Sequence, residues 1–89
     1  MTDATSELLQ FFKALADETR LKVAGLLARE AYSGEQLALM LDVKPATISH
    51  HLAKLTEAGL VRVERQGHAL MYALRLDAIH AMAERLLAQ

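Results

Sequence analysis

A chain of 89 residues with a formal net charge of −1 has room for one small domain, and such a domain buries only about 60–65% of its unfolded surface. The absence of cysteine excludes disulfides, thiolate metal sites and thiol redox sensing. Because 53% of the residues are hydrophobic, the chain has more apolar surface than one such core absorbs, which indicates a partner, most simply a second copy. No apolar run approaches the roughly 20 residues that cross a bilayer, so we expect one soluble, cytoplasmic domain over residues 1–89 and no membrane partner.

A first helix is predicted from Thr5 onward by its apolar periodicity. The apolar side chains of this helix are Leu8, Leu9, Phe11, Phe12 and Leu15. They form a face wider than one small core needs, which favours a dimerisation helix over simple packing onto the domain.

A second helix is predicted after Asp17, whose carboxylate can accept a hydrogen bond from a free backbone N–H at the start of that helix. We expect its buried stripe at Leu21, Ala24, Leu27 and Ala28. The basic residues of this helix, among them Arg20, are expected to point into solvent.

Residues 33–60 predict two further helices separated by a tight turn. Ser33 and Gln36 have the spacing of a capping box, in which each side chain satisfies a free N–H at the start of the first helix. That helix is expected to bury Leu37, Leu39 or Met40, and Leu41. Pro45 suits the first position of the second helix, where a missing N–H does no harm, and Gly59 suits its left-handed C-terminal cap.

The second helix of this pair has an apolar side and a polar side. Ile48, Leu52 and Leu55 are spaced four and then three residues apart, which is one buried helical face. The residues between them are polar: Thr47, Ser49, His50, His51 and Lys54. A helix that reads DNA needs this combination, because one side must be held in a core while the other presents hydrogen-bonding groups.

A β-hairpin and a last helix are predicted after Gly59. Val61 and Val63 alternate with Arg62 and Glu64, residues 66–68 form a turn that contains Gly67, and residues 69–74 alternate in the same way. A hairpin in this place is a wing. Asp77 is expected to cap the last helix. The apolar residues of that helix are Ile79, Met82, Ala83, Leu86 and Leu87.

Positive charge is concentrated in residues 44–75, where five basic side chains stand against two acidic ones; residues 1–43 hold four basic and seven acidic ones. The local field, rather than the net charge, attracts phosphates, although random fluctuation in so short a chain is the alternative.

The run LADETRL at residues 15–21 resembles the L-A-D-P-T-R-L signature of the arsenic-repressor-like (ArsR/SmtB) transcriptional regulators. The family pattern V-S-x-S-x-V-S-x-H-L-x-x-L-x-x-A-G-L-V is similar to residues 43–61, and the segment MYAL at residues 71–74 resembles the end of the family's wing. This resemblance spans about residues 11–75. It implies a mainly α-helical winged helix-turn-helix with a small β-hairpin, in the order α1-α2-α3-α4-β1-β2-α5. It further implies a homodimer joined through its first and last helices, usually a repressor of its own operon.

Departures from the family pattern bear on metal binding. The Cys-x-Cys of the metal-sensing members is absent, and the last helix offers only Asp77, His80 and Glu84, with no later histidine. We therefore expect no metal and no cofactor. A sensor with an effector site on the last helix, or a winged helix used only for protein contacts, remain the alternatives. No nucleophile–base pair, carboxylate dyad or phosphate loop is present in the sequence, so we expect no enzymatic activity.

Double-stranded DNA and a second copy of the chain are the expected partners, and the sequence does not indicate an effector. The recognition helix is expected at about residues 45–58 and the wing at about residues 61–74. The candidate DNA contacts are Lys44, Pro45, Ala46, Thr47, Ser49, His50, His51, Lys54, Arg62, Arg65, Gln66 and His68. Arg65 is the best candidate for the minor groove or its phosphates, whereas for His51 a structural role is about as well supported as DNA contact.

Overall fold

The computed structural model describes residues 3–89, with side chains from residue 5 onward. The elements in chain order are α1 (Asp3–Leu15), α2 (Glu18–Leu27), β1 (Tyr32–Ser33), α3 (Gly34–Leu41), α4 (Pro45–Glu57), β2 (Val61–Gln66), β3 (Ala69–Leu74) and α5 (Leu76–Leu87). The predicted winged helix-turn-helix is confirmed: α3 and α4 are the helix-turn-helix, and β2 and β3 are the wing.

The sheet contains a short strand that the sequence did not predict. The order of strands in the described residues is β1-β3-β2, with both pairs antiparallel. In β1, Tyr32 pairs with Tyr72 and Ser33 with Met71. A strand of two residues is too short to show periodicity, which is why the sequence predicts only the hairpin. Ser33 ends this strand and caps α3, so the sheet and the helix-turn-helix meet at one residue.

The hairpin pairs β2 with β3 from Val61 and Leu74 at its base to Gln66 and Ala69 at its tip. This register leaves a loop of two residues, and Gly67 takes a left-handed conformation there, with φ +62°. Two-residue hairpin loops need positive φ values, which glycine adopts without steric cost.

One cluster of buried apolar residues joins α1, α2, α3, α4 and the start of β2. Its members are Phe11, Val23, Leu27, Leu37, Ala38, Ile48, Leu52, Leu55, Leu60 and Val61. The stripe predicted for α4 is confirmed in full, because its three residues are all buried.

The predicted stripes of α2 and α3 are wrong in part. Leu21 is 56% exposed and Ala28 is also exposed, whereas Val23 and Leu27 are buried. In α3, Leu39 is 82% exposed while Leu37 and Ala38 are buried. Successive helical residues point about 100° apart, so the buried face lies one to two residues away from the one chosen. Both helices also carry leucines on their exposed side, so the sequence gives two faces of each helix that are equally apolar.

The capping interactions agree with the sequence except at α5. The Ser33 hydroxyl accepts from the backbone N–H of Gln36 at 3.1 Å, and the Gln36 side chain accepts from the N–H of Ser33 at 2.8 Å. Pro45 begins α4, and Gly59 follows it with φ +79°. Asp77 is not the cap of α5, because that helix already begins at Leu76.

Replacing Ser33 by alanine should lower the free energy of unfolding by about 1 kcal/mol, because the orphan N–H at the start of α3 loses its partner. Chemical denaturation followed by circular dichroism measures this change. Ser6→Ala, on the exposed side of α1, is the matched control and should leave the stability within about 0.5 kcal/mol of the parent. Equal stability of the two variants would show that the capping box contributes nothing.

Candidate nucleic-acid interface

The outer side of α4 is solvent-exposed because the opposite side is held in the core. The exposed candidate residues on and just before this helix are Lys44, Pro45, Ala46, Thr47, Ser49, His50 and Lys54. Helical geometry places Ala46 and His50 directly opposite the buried stripe, with Ser49 on one flank and Thr47 on the other.

A groove of about 310 Å³ separates α4 from the wing. Pro45 and Ser49 line it from α4, and His68, Leu70 and Tyr72 line it from the wing. The structure thus brings the polar N-terminal half of α4 and the turn of the hairpin to one surface. This groove is open to solvent along its length, as the exposure of Pro45, Ser49 and His68 shows.

The two faces of the wing differ in their chemistry. Arg65 pairs with Leu70 in the register, and strand alternation places it on the face of Leu70 and Tyr72, which line the groove. Arg62 lies on the opposite face, together with Gln66, and its Nε is 3.0 Å from Oε1 of Glu64. Among residues 5–89 no salt bridge is recorded for Arg65, which leaves its guanidinium available to an external anion.

Lys54 lies on the side of α4 away from the wing. It borders a cleft of about 270 Å³ together with Lys13 of α1 and Arg20 of α2. The predicted DNA contacts therefore do not all share one surface. Ser49 and His68 line the groove and Arg65 lies on the same face of the hairpin, whereas Lys54 faces the end of α1.

His51 is half-buried on the flank of α4 and does not lie on its outer side. Only 13% of its side chain is exposed, and its Nδ1 is 3.4 Å from Nη1 of Arg20 and 3.8 Å from Oδ2 of Asp17. These contacts favour the structural role of His51, and its contact with DNA stays a prediction. The adjacent His50 remains exposed, since the two rings point in different directions along the helix.

Arg20 is a residue whose importance the sequence analysis missed. Its Nε donates to the backbone carbonyl of Ala14 at 2.6 Å, so it is not the solvated side chain that was expected. Spacing holds the signal that could have revealed it, because Arg20, Val23 and Leu27 lie three and four residues apart on one helical face.

The predicted dimer residues divide into an inner and an outer group. Leu8 and Phe11 are buried within the protomer, so they offer less surface to a second chain than the other predicted interface residues do. Leu15, Ile79 and Met82 are half-buried. The exposed group consists of Leu9, Phe12, Ala83, Leu86 and Leu87. Arg85 of α5 and Glu7 of α1 form an ion pair, so the two helices that carry the exposed group are tied together.

The acidic and histidine residues of α5 do not converge. Oδ2 of Asp77 is held by Nη2 of Arg75 at 3.1 Å, which keeps the pKa of that carboxyl below its ordinary value. No group of three or more histidine, aspartate or glutamate side chains suited to a metal ion occurs within the described part of the chain. In the same residues no helix has the length and hydropathy needed to cross a membrane.

Residues 17–63 match the model of a family described as bacterial regulatory proteins of the arsR family. This segment is more than half of the chain and contains α2, the helix-turn-helix and the start of the wing. The chain belongs to the ArsR family. The resemblance found in the sequence is thereby confirmed.

Individual relatives agree with this assignment. A biofilm growth-associated repressor of Agrobacterium fabrum is 33% identical over 99% of this chain and 75% of its own length. An ArsR-like transcriptional regulator from Rhodococcus sp. RHA1 has the same fold, with a TM-score of 0.92 and 31% identity over 98% of this chain and 82% of that one. Several other curated relatives are longer, since the chain spans only 54% to 66% of their length.

A third relative bears on assembly. It is a possible ArsR-family regulator from Mycobacterium bovis, whose solution structure is described as a homodimeric winged helix-turn-helix DNA-binding domain. Its TM-score is 0.81, at 26% identity over 99% of this chain and 86% of that one. The three relatives are described as a repressor or as transcriptional regulators, which agrees with the expectation that this chain is not an enzyme.

The stability of the ArsR-family fold should depend on the ionisation of Asp17. The backbone N–H of Arg20 donates to its carboxylate at 3.0 Å and holds its pKa below the ordinary value; partial burial acts in the opposite direction. Since the folded-state pKa is lowered, the stabilisation is present above the unfolded value of about 3.9 and is lost as the pH falls from there through the lower folded-state pKa.

Asp17→Asn keeps an amide oxygen for the cap but does not titrate in this range. The free energy of unfolding of this variant should therefore fall less than that of the parent between about pH 6 and about pH 3. Urea denaturation at both pH values measures the difference. Glu57→Gln, which removes an exposed carboxyl at the end of α4, is the control. An unchanged acid dependence in Asp17→Asn would contradict the assignment.

Proposed function

We propose that this chain is a single domain, residues 1–89, that binds DNA sequence-specifically as a homodimer in the cytoplasm and represses transcription. The recognition helix, residues 45–58, would enter the major groove, and the wing, residues 61–74, would contact the backbone or the minor groove. The observation that carries this proposal is the groove between α4 and the wing. The exposed polar side chains of Ser49 and His68 border this groove, and Arg65 lies on the same face of the hairpin.

Phosphate contacts are supported by the charges around the start of α4. Pro45 has no N–H and the N–H of Thr47 donates to the Lys44 carbonyl, so the start of α4 offers the N–H of Ala46 to an anion, beside the Lys44 side chain. Among residues 5–89 no salt bridge involves Lys44, so its ammonium group is available to a phosphate. Arg65 would reach a second part of the same backbone from the wing.

Base reading would depend on few and short side chains. Thr47, Ser49 and His50 can each make single hydrogen bonds to base edges, but α4 contains no arginine or asparagine for a bidentate contact. Direct readout should therefore be modest. The wing and the sequence-dependent shape of the duplex would supply the remaining discrimination.

A second copy of the chain is supported by the apolar surface on α1 and α5. In α5 all twelve residues keep some exposure within the described protomer, although the helix carries a continuous apolar side. Exposed apolar surface on two adjoining helices is typical of a subunit interface. Two-fold symmetry would present two recognition helices to one palindromic site.

DNA binding should weaken steeply with salt. If about 6–10 phosphates are contacted by a dimer, the logarithm of the association constant should fall with the logarithm of salt at a slope of about −5 to −9. Arg65→Ala should weaken binding to all duplexes and reduce the magnitude of the slope by about two, because each dimer loses two phosphate contacts. Fluorescence anisotropy on promoter fragments measures both quantities.

Arg29→Ala, which removes an exposed arginine just after α2, is the matched control and should leave the slope unchanged. Thr47→Ala should instead alter the preference among duplexes with little change in slope, since a base contact releases few counterions. Absence of binding to every duplex at low salt would refute the proposed function.

Leu86→Glu should weaken dimerisation by about tenfold or more, because it places a charge in the apolar surface of each protomer. Leu21→Glu provides a matched control, since Leu21 is also an exposed helical leucine and lies on α2, outside the proposed interface. Sedimentation equilibrium measures the dissociation constants. A larger effect of the Leu21 substitution would contradict an interface formed by α1 and α5.

A further inference from the structure

Three helices meet at a small polar junction that does not face the proposed DNA groove. The junction consists of Asp17, Arg20 and His51, together with the backbone carbonyl of Ala14. Arg20 bridges two partners, because its Nε donates to the Ala14 carbonyl at the end of α1 while its Nη1 lies 3.4 Å from Nδ1 of His51 on α4. One guanidinium therefore connects the helix of the proposed dimer surface with the recognition helix.

The direction of this contact follows from the chemistry of arginine. A guanidinium has only donors, so a hydrogen bond between Nη1 of Arg20 and Nδ1 of His51 requires Nδ1 to be the acceptor. The proton of the neutral ring then lies on Nε2. The Asp17 carboxylate accepts from the backbone N–H of Arg20 at 3.0 Å, and its Oδ2 lies 3.8 Å from the same Nδ1, which is beyond hydrogen-bond distance.

We propose that Arg20 and His51 are positioning residues that set the orientation of α4 relative to α1. His51 would support DNA binding through the bond at Nδ1 and not by touching DNA. This inference rests on the proposed function, because it concerns the orientation in which the recognition helix is presented to DNA. The physical reason is that a dimer must present its two recognition helices about 34–36 Å apart, so a small rotation of α4 on α1 misplaces both.

An arginine is suited to this task and a lysine is not. The rigid fork of a guanidinium can hold the Ala14 carbonyl and the imidazole at the same time, whereas a single ammonium on a flexible stem cannot fix both directions. The junction is half-buried and polar, while the core below it is apolar and continuous. Loss of the bridge should therefore make the orientation of α4 relative to α1 less well defined without unfolding the chain.

Two substitutions at His51 separate positioning from DNA contact. The Oδ1 of an asparagine lies near the place of Nδ1 and can accept from Arg20, whereas the amide of a glutamine reaches the place of Nε2. If positioning is correct, His51→Asn should bind the tightest duplex selected from a random-sequence library nearly as well as the parent, and His51→Gln should bind about tenfold more weakly.

The reverse order of these two affinities would overturn the proposal, because it would show that Nε2 contacts DNA. Equal affinities of the two variants would overturn it as well. Arg20→Lys should weaken binding with no change in salt slope, since no phosphate contact is lost, and a slope reduced as in Arg65→Ala would again contradict positioning. Thermal unfolding of each variant confirms that it is folded.

A measurement without DNA distinguishes failure of this proposal from failure of the proposed function. The chain has no cysteine, so Ser6→Cys and Ala53→Cys provide one exposed label site on α1 and one on α4. Double electron–electron resonance on labelled chains, diluted with unlabelled ones, reports the distance between these helices. The distribution should stay unchanged in His51→Asn and should shift or broaden in His51→Gln and Arg20→Lys.

An identical distribution in all variants would refute positioning, whatever the DNA measurements show. A parent chain that binds no duplex, combined with the expected distances, would refute the proposed function alone and leave the role of the junction in orienting α4 intact.

Discussion

Ile48, Leu52 and Leu55 lie in the core with at most 2% of their surface exposed, and this burial determines which side of α4 faces solvent. Truncating one such residue to alanine typically costs about 2–5 kcal/mol, a large part of the 5–15 kcal/mol that stabilise a whole domain. The orientation of α4 therefore cannot change without a large loss of stability. Residues on its outer side make few internal contacts, so they can serve recognition without weakening the core.

The wing shows how one short hairpin serves packing, solubility and binding. Val61 at its base is part of the core, whereas the residues towards the tip are exposed. β2 is an edge strand, and its charged side chains discourage pairing with the edge of another sheet. Of its two arginines, Arg62 is neutralised by Glu64, which leaves Arg65 as the cation presented on the groove side.

Local signals in the sequence were sufficient to predict helix ends and turns wherever a residue type strongly favours one conformation or capping position. Ser33 with Gln36, Pro45 and Gly59 marked three helix ends, and alternation after Gly59 marked the hairpin. The rotation of α2 and α3 could not be predicted in the same way. Leu21 and Leu39 are as hydrophobic as the leucines that are buried, and only the tertiary arrangement decides which of them meet the core.

The candidate site was likewise predictable in part. Residues of α4 that lie opposite a clear apolar stripe, such as His50, could be placed on the outer side from spacing alone. His51 and Arg20 could not, because they are 31 residues apart in sequence and their contact exists only after α2 packs on α4. An arginine on the same helical face as one buried valine and one buried leucine is weak evidence for a buried polar contact, since long basic side chains often extend past apolar surface to water.

The helix α1 links the two halves of the proposed mechanism. Phe11 points into the core while its neighbour Phe12 is exposed, and the two rings meet edge to face with centroids 5.4 Å apart. A second chain that packs against Phe12 would therefore press on a ring that contacts the core directly. The same helix ends at the carbonyl held by Arg20, which in turn meets the recognition helix. Because packed interiors deform little, dimerisation through α1 and the orientation of α4 should be coupled through this one rigid helix.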